Sequence, residues 1–215
     1  MLAGERKIAS DGYEVMLFPM EVMYISQGIH QSYCMDFIGW DATTNSRILR
    51  CPLYAPCSCT CVARSSSGDW QVFTSDDLVH VPGIGLPTII SFQIGHDNTP
   101  QSVGSHFNQG DLIGHTGTNG QVTGDHLHYN IAQGRYTAPW SSYLNNSFQI
   151  YNGCYVDDTI LYRPLSYDWV TYGETPPVPP TPTPTTRGGH KFPWWLYWKS
   201  FRNGIRWLSF FFIVV

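Results

Sequence analysis

Charge is scarce in this sequence. Of 215 residues, 12 are Lys or Arg and 16 are Asp or Glu, a charged fraction of 13% and a net charge of −4. A chain that grips nucleic acid needs a basic stripe or patch, and none runs through this one. A surface built instead from Ser, Thr, Asn and Tyr suits contact with sugars or peptides. Long apolar runs are missing too. The last nine residues, Trp207–Val215, carry no charge, but a bilayer-spanning helix needs about 20. The opening run, Met1-Leu2-Ala3-Gly4-Glu5-Arg6-Lys7, lacks the basic-then-apolar order of a signal peptide, so export by that route is not expected. No internal repeat is visible, and no helical period is sustained before residue 190.

Glycine, proline and aromatic residues are plentiful: 20 Gly, 15 Pro and 15% aromatic, within a hydrophobic fraction of 42%. That composition suits a loop-rich β protein with one full core. Residues 12–25 read as an entry segment and a strand, and 33–41 as a second strand around Met35-Asp36-Phe37-Ile38. Residues 53–64 carry Leu-Tyr-Ala-Pro followed by an alternating run to Val62, and residues 69–74 and 88–95 read as further strands. Gly110-Asp111 signals a turn before a short strand at Leu112-Ile113, residues 117–124 a loop, and His126–Ala132 the next strand. Short strands parted by Gly and Pro turns predict a mainly β fold, an antiparallel sheet domain over residues 1–173. Six cysteines permit disulfides without showing them. Cys57, Cys59 and Cys61 alternate along one strand and read as small buried thiols; a second metal site there matches no familiar zinc spacing.

Residues 174–186, Glu-Thr-Pro-Pro-Val-Pro-Pro-Thr-Pro-Thr-Pro-Thr-Thr, form a proline-rich linker that favours extended polyproline II. Beyond it, residues 187–215 form a basic, Trp-rich tail. Trp194, Trp198, Phe201, Ile205, Leu208 and Phe212 recur at gaps of three and four, a helical stripe. As a helix, residues 193–215 reach about 35 Å. Such a segment fits either a membrane interface, through residues 190–215, or a docking site on another subunit or on the domain itself.

The chemistry centres on Thr123-Gly124-Asp125-His126-Leu127-His128-Tyr129. Strand residues two apart share a face, so His126 and His128 are expected to project together. Neutral imidazole is both the commonest metal ligand and a base poised near neutral pH. Ahead of the pair stand Gly110-Asp111-Leu112-Ile113-Gly114 and Gly117, and further upstream Leu53-Tyr54-Ala55-Pro56. Over residues 24–132, about half the chain, this set resembles the lysostaphin-like (LytM-type) zinc endopeptidases, which cleave peptide crosslinks in bacterial peptidoglycan.

The resemblance implies an open active-site groove with one zinc ion per chain. It implies that His128 binds the metal and that His126 is catalytic. A second catalytic histidine at the end of a strand some thirty residues upstream corresponds to His96, with His106 as its rival. The remaining ligands correspond to His30 and Asp36. Their spacing, H-x5-D, departs from the family's H-x3-D and lengthens the turn between them. Three protein ligands leave a fourth tetrahedral position for water, whose pKa zinc brings to about 7. Tyr24 is a candidate oxyanion donor or a core tyrosine, and Asp41 and Asp125 are candidate partners of the site residues. Ser65-Ser66-Ser67-Gly68 and Asn119-Gly120 are candidate cleft loops. His80, His106 and His115 read as loop histidines, and His190, beyond the linker, as unrelated. Together with the missing signal peptide and the apolar tail, the resemblance implies a phage protein located in the virion, tail-associated, or released onto the host cell wall. Its expected partners are peptidoglycan, phage tail proteins and a membrane surface, with no nucleic acid. The alternatives are a lysis enzyme, or an inactive wall-binding or structural module on the same fold.

Overall fold

A computed structural model describes residues 1–31, 33–137 and 147–173. All of them belong to one of the two units into which the chain divides, Met1–Pro176. The linker at 174–186, the tail at 187–215 with its helical stripe, and His190 lie outside the described residues.

The fold is mainly β. In chain order the strands are β1 (Glu14–Val15), β2 (Val22–His30), β3 (Cys34–Phe37), β4 (Gly39–Asp41), β5 (Ser46–Ile48), β6 (Pro52–Tyr54), β7 (Cys59–Arg64) and β8 (Trp70–Ser75). There follow β9 (Val79–His80), β10 (Ile90–Gly95), β11 (His106–Phe107), β12 (Leu112–His115), β13 (Leu127–Gln133), β14 (Ser147–Phe148) and β15 (Ile160–Arg163). One helical turn among the described residues, Ile150–Gly153, precedes β15. Among the described residues no helix is long and apolar enough to cross a membrane.

Among the described residues nine strands form the main sheet, in the order β11-β7-β8-β10-β13-β3-β2-β15, with β14 also paired to β13. Its pairings are antiparallel except β15 on β2, and the small β1–β9 pair is likewise parallel. Residues 53–64 divide at Ala55-Pro56, the turn that the resemblance implied ahead of a strand, into β6 and β7. The Ala55 carbonyl accepts from Gly110 N at 3.0 Å and its N–H donates to Asp111 O at 2.8 Å. The Gly110-Asp111 turn therefore anchors that corner, and β12 pairs β6 beside it.

The two faces of the sheet differ in chemistry. Across the register, Met35 faces Tyr129, Tyr129 faces Ile94, Ile131 faces Phe92 and Phe92 faces Phe73. These side chains are fully buried; the Met, Ile and Phe side chains each contribute about 1.5–3 kcal/mol by leaving water, whereas Tyr129 also buries a hydroxyl that has no hydrogen-bond partner among the described residues. Cys57, Cys59 and Cys61 join the same core as free thiols. Burial pushes the Cys61 thiol up to about 11 and raises the other two well above their ordinary value, so the run behaves as small apolar packing. The alternate residues carry the polar groups: Asp36 faces His128, Gln93 faces Asn130, and Gly95 faces His128. A period of two thus places a core and a reactive face on the same strands.

Candidate active site

On the polar face a cleft of about 450 Å3 opens among His30, Asp36, His96, His126 and His128. Asp36 and His128 arrive by direct cross-strand pairing of β3 with β13. His30 arrives by irregularity. Gln27 is opposite Asp36, and three residues on, a regular strand would turn His30 to the other face. A register shift between Gln27 and His30 instead sets His30 opposite Cys34, two residues before Asp36. The bulge reverses the parity and returns His30 to the face of Asp36. It makes the H-x5-D spacing compatible with convergence.

The ligand-type atoms of His30, Asp36 and His128 all lie within 4.8 Å of one another. His128 Nδ1 is 2.9 Å, and His30 Nε2 3.5 Å, from the same Asp36 oxygen, Oδ1. Tetrahedral zinc with bonds of about 2.0–2.1 Å sets its ligand atoms about 3.3 Å apart, a separation these two distances bracket. Two imidazoles and one carboxylate, with an open cleft on the fourth side, fit a zinc ion. Among the described residues no other cluster of His, Cys, Asp or Glu has this geometry.

His96 and His126 face this group, their ring centroids 4.6 Å apart, with His96 and His128 at 5.8 Å. His30 Nδ1–H donates to Gly28 O at 2.9 Å, His96 Nδ1–H to Asn119 O at 2.8 Å, and His126 Nδ1–H to Gly124 O at 2.8 Å. A carbonyl only accepts, so each proton sits on Nδ1 and each Nε2 is left free for the cleft. β13 begins at Leu127, so His126 is held just ahead of it, by paired backbone hydrogen bonds with Gly117 at 3.0 and 3.1 Å.

His96 follows β10 with φ of 71°, a left-handed conformation uncommon outside glycine. Its N–H donates to Asp69 O at 2.7 Å, and its carbonyl accepts from Asn119 N at 3.0 Å. Next to it the fully buried Asp97 carboxylate accepts from Arg50 Nη1 at 3.1 Å, Thr99 N at 2.9 Å and His115 N at 3.1 Å. Gly117 passes so close that a Cβ there would lie 2.1 Å from His96 O. Gly117→Ala should therefore cost about 1–3 kcal/mol by overpacking and displace His96. Denaturant unfolding of the variant measures the cost, and an unchanged midpoint would contradict it.

The electrostatics follow from burial and neighbours. Burial pushes the Asp36 carboxyl up, but the His128 hydrogen bond and the charges of His126, His128 and His30 outweigh it and hold the group low. Burial pulls His128 down, but its hydrogen bonds to Asp36 and to the Cys34 sulfur win, and its pKa is pushed up to about 9. Burial, reinforced by His126 and His128 and opposed by the hydrogen bond to Asn119, keeps His96 below its ordinary value.

Other candidates lie elsewhere. His106 is half exposed on the edge strand β11, 2.8 Å from Asp76, and does not border the cleft. His80 pairs with Asp11 at 2.9 Å. Tyr24 stacks with Trp40 and Tyr162 beneath Arg163, neither in the core nor at the cleft. Asp41 caps its own turn through Thr43 and Thr44. Asp125 accepts from Thr116 at 2.5 Å and from Arg50 N at 3.2 Å, tying down the glycine loop without touching the cleft group. The cleft walls come from Asp69, Trp70 and Gln121–Thr123, adjacent to the two loops expected there. Sequence reading missed Cys34. It stands two residues before Asp36, hence on its face, and its sulfur accepts from Asn130 Nδ2 at 3.2 Å as well as holding His128. The alternation Cys34-Met35-Asp36 was the available signal.

No family model matches the chain. The chain is 33% identical over 174 residues to Morphogenesis protein 1 of Bacillus phage B103, covering 75% of this chain and 46% of that protein. It thus spans about half the length of that curated relative. Among solved structures, it overlaps lysostaphin from Staphylococcus simulans at 18% identity and TM-score 0.42, over 60% of this chain and 47% of that one. A zinc containing peptidase from Vibrio cholerae overlaps at 14% identity and TM-score 0.39, over 60% and 43% of the two chains. A putative peptidase M23 from Pseudomonas aeruginosa does so at 16% identity and TM-score 0.39, over 62% and 49%.

Proposed function

We propose that this chain is a zinc endopeptidase of the lysostaphin type that hydrolyses peptide crosslinks of bacterial peptidoglycan as a tail-associated component of a phage particle. The observation that carries the reading is one cleft in which His30, Asp36 and His128 converge while His96 and His126 face them. The motif residues around His126-Leu127-His128 support the family. The morphogenesis protein of a Bacillus phage supports the virion setting.

His30 Nε2, Asp36 Oδ1 and His128 Nδ1 would hold the zinc. Bound there, zinc supplies Lewis acidity, acidifying water and polarising a carbonyl. The chain's own residues supply the rest. His96, kept below its ordinary pKa, is neutral at pH 7, and its Nε2 accepts a proton. The proton that His96 accepts from the attacking water passes to the leaving amine, and His126, its Nδ1 proton fixed on Gly124 O, hydrogen-bonds the developing oxyanion only when Nε2 carries a second proton. The glutamine-lined walls, with Gln27, Gln31, Gln93 and Gln121, offer donors and acceptors to an extended peptide backbone.

The test is turbidity clearing of purified cell walls with and without a chelator. Clearing should stop on chelation, return with zinc and liberate new amino groups; clearing indifferent to chelation would sink the reading. Metal uptake should also release a proton. The metal-free His128 is protonated below a pKa of about 9, and that proton must leave Nδ1 for a ligand bond to form. Apparent zinc affinity should therefore rise about tenfold per pH unit from pH 6 to 8. Calorimetry in buffers of different ionisation enthalpy measures the proton count.

A further inference from the structure

The cleft does not end at the histidines. Past Asp36 and His126 it continues into a hollow of about 250 Å3 bordered by Ser26, Ile38, Arg47 and Gly124. Arg47 is the sole Lys or Arg among the described residues bordering either space. It stands on β5, paired in register with Trp40 of β4. Among the described residues its guanidinium has no carboxylate partner. Arg47 is exposed, and its guanidinium lies against the glycine loop. A Cβ on Gly124 would lie 3.4 Å from Nη1 and 3.5 Å from Nη2, so both terminal nitrogens lie beside Gly124. The Gly124 carbonyl in turn holds His126 Nδ1 at 2.8 Å. One glycine therefore separates the guanidinium from the imidazole proposed to act on the substrate.

A planar guanidinium matches a carboxylate with two parallel hydrogen bonds, a fit no neutral amide reproduces. We infer that Arg47 binds a free carboxylate of the substrate peptide and so makes this chain selective for carboxylate-bearing crosslinks. The inference rests on the peptidase reading and goes beyond it, because it names the group recognised. Two carboxylates of a crosslinked peptide share this chemistry, the one at a chain end and the one on a side chain.

The test uses the zinc-loaded full chain and four synthetic crosslinked peptides: free carboxylates, amidated at the chain end, amidated at side chains, and amidated at both. Cleavage is followed in wild type, Arg47→Gln and Arg47→Lys, and binding by calorimetry in the His126→Ala background with and without Arg47→Gln. Wild type should favour one carboxylate form by about 10- to 100-fold in kcat/KM, through KM. The arm whose amidation removes the preference identifies the carboxylate. Arg47→Gln should abolish the preference while leaving zinc content unchanged, and Arg47→Lys, a point charge without the fork, should restore part of it. Equal binding of all four peptides, or a preference that survives Arg47→Gln, would overturn the role of Arg47. Selective binding without cleavage by zinc-loaded wild type would instead remove the peptidase reading and leave the carboxylate site standing.

Discussion

His128→Ala should abolish zinc binding and wall clearing together. Loss of an outer hydrogen-bond partner of a ligand costs about 10- to 100-fold in metal affinity, and loss of one of three ligands costs more. The position has two further dependants. His128 donates to Asp36, which is 8% exposed, and it bonds the Cys34 sulfur. Removing the imidazole leaves a buried carboxylate short of a partner, a destabilising change in its own right. Inductively coupled plasma analysis and turbidity clearing are the two readouts, with far-UV circular dichroism to establish that the variant folds. A folded His128→Ala protein that kept about one zinc per chain and full clearing would contradict the ligand set.

His126→Ala should separate the two properties. His126 Nε2 is 3.7 Å from Asp36 Oδ2, too far for a hydrogen bond, and the convergent trio does not include it. The variant should keep its zinc. Removal of a positioned acid or base costs about 10²- to 10⁴-fold in rate, so kcat should fall by that factor with KM little changed. His96→Ala should behave alike, because both imidazoles are oriented by backbone carbonyls rather than by the metal trio. If His126→Ala lost zinc as His128→Ala does, the division of labour between the two histidines would be wrong. The pair is informative because one residue separates them and overall stability affects both.

Much of the architecture was legible. Alternation in Ile90–Gly95 and in the run from His126 marked the central strands, because a sheet with one apolar and one polar face repeats every two residues. The Gly110-Asp111 turn and the glycine loop at 117–124 were visible as breakers, and Gly117 is needed where it packs against His96 O. Candidate residues at the cleft were less evenly legible. His126 and His128 stood out by spacing. His30 did not, because its orientation depends on a register shift in β2 that no local pattern announces. His96 and His106 were separable only by topology: β10 lies next to β13, while β11 is at the far edge of the sheet.

Local sequence sets the alternation that gives this sheet an apolar and a polar face, the turns that end its strands, and the chemical types on offer: imidazoles, an aspartate in an apolar strand, glycines that admit close approach. These are local properties, set by period and by backbone freedom within a few residues. Which of them meet depends on how distant strands pair. His30 and His128 are 98 positions apart in sequence and reach the same Asp36 oxygen because β2, β3 and β13 are neighbours in the sheet. Strand order and bulge placement are settled by packing of the whole core, and a site built across strands inherits its geometry from that packing.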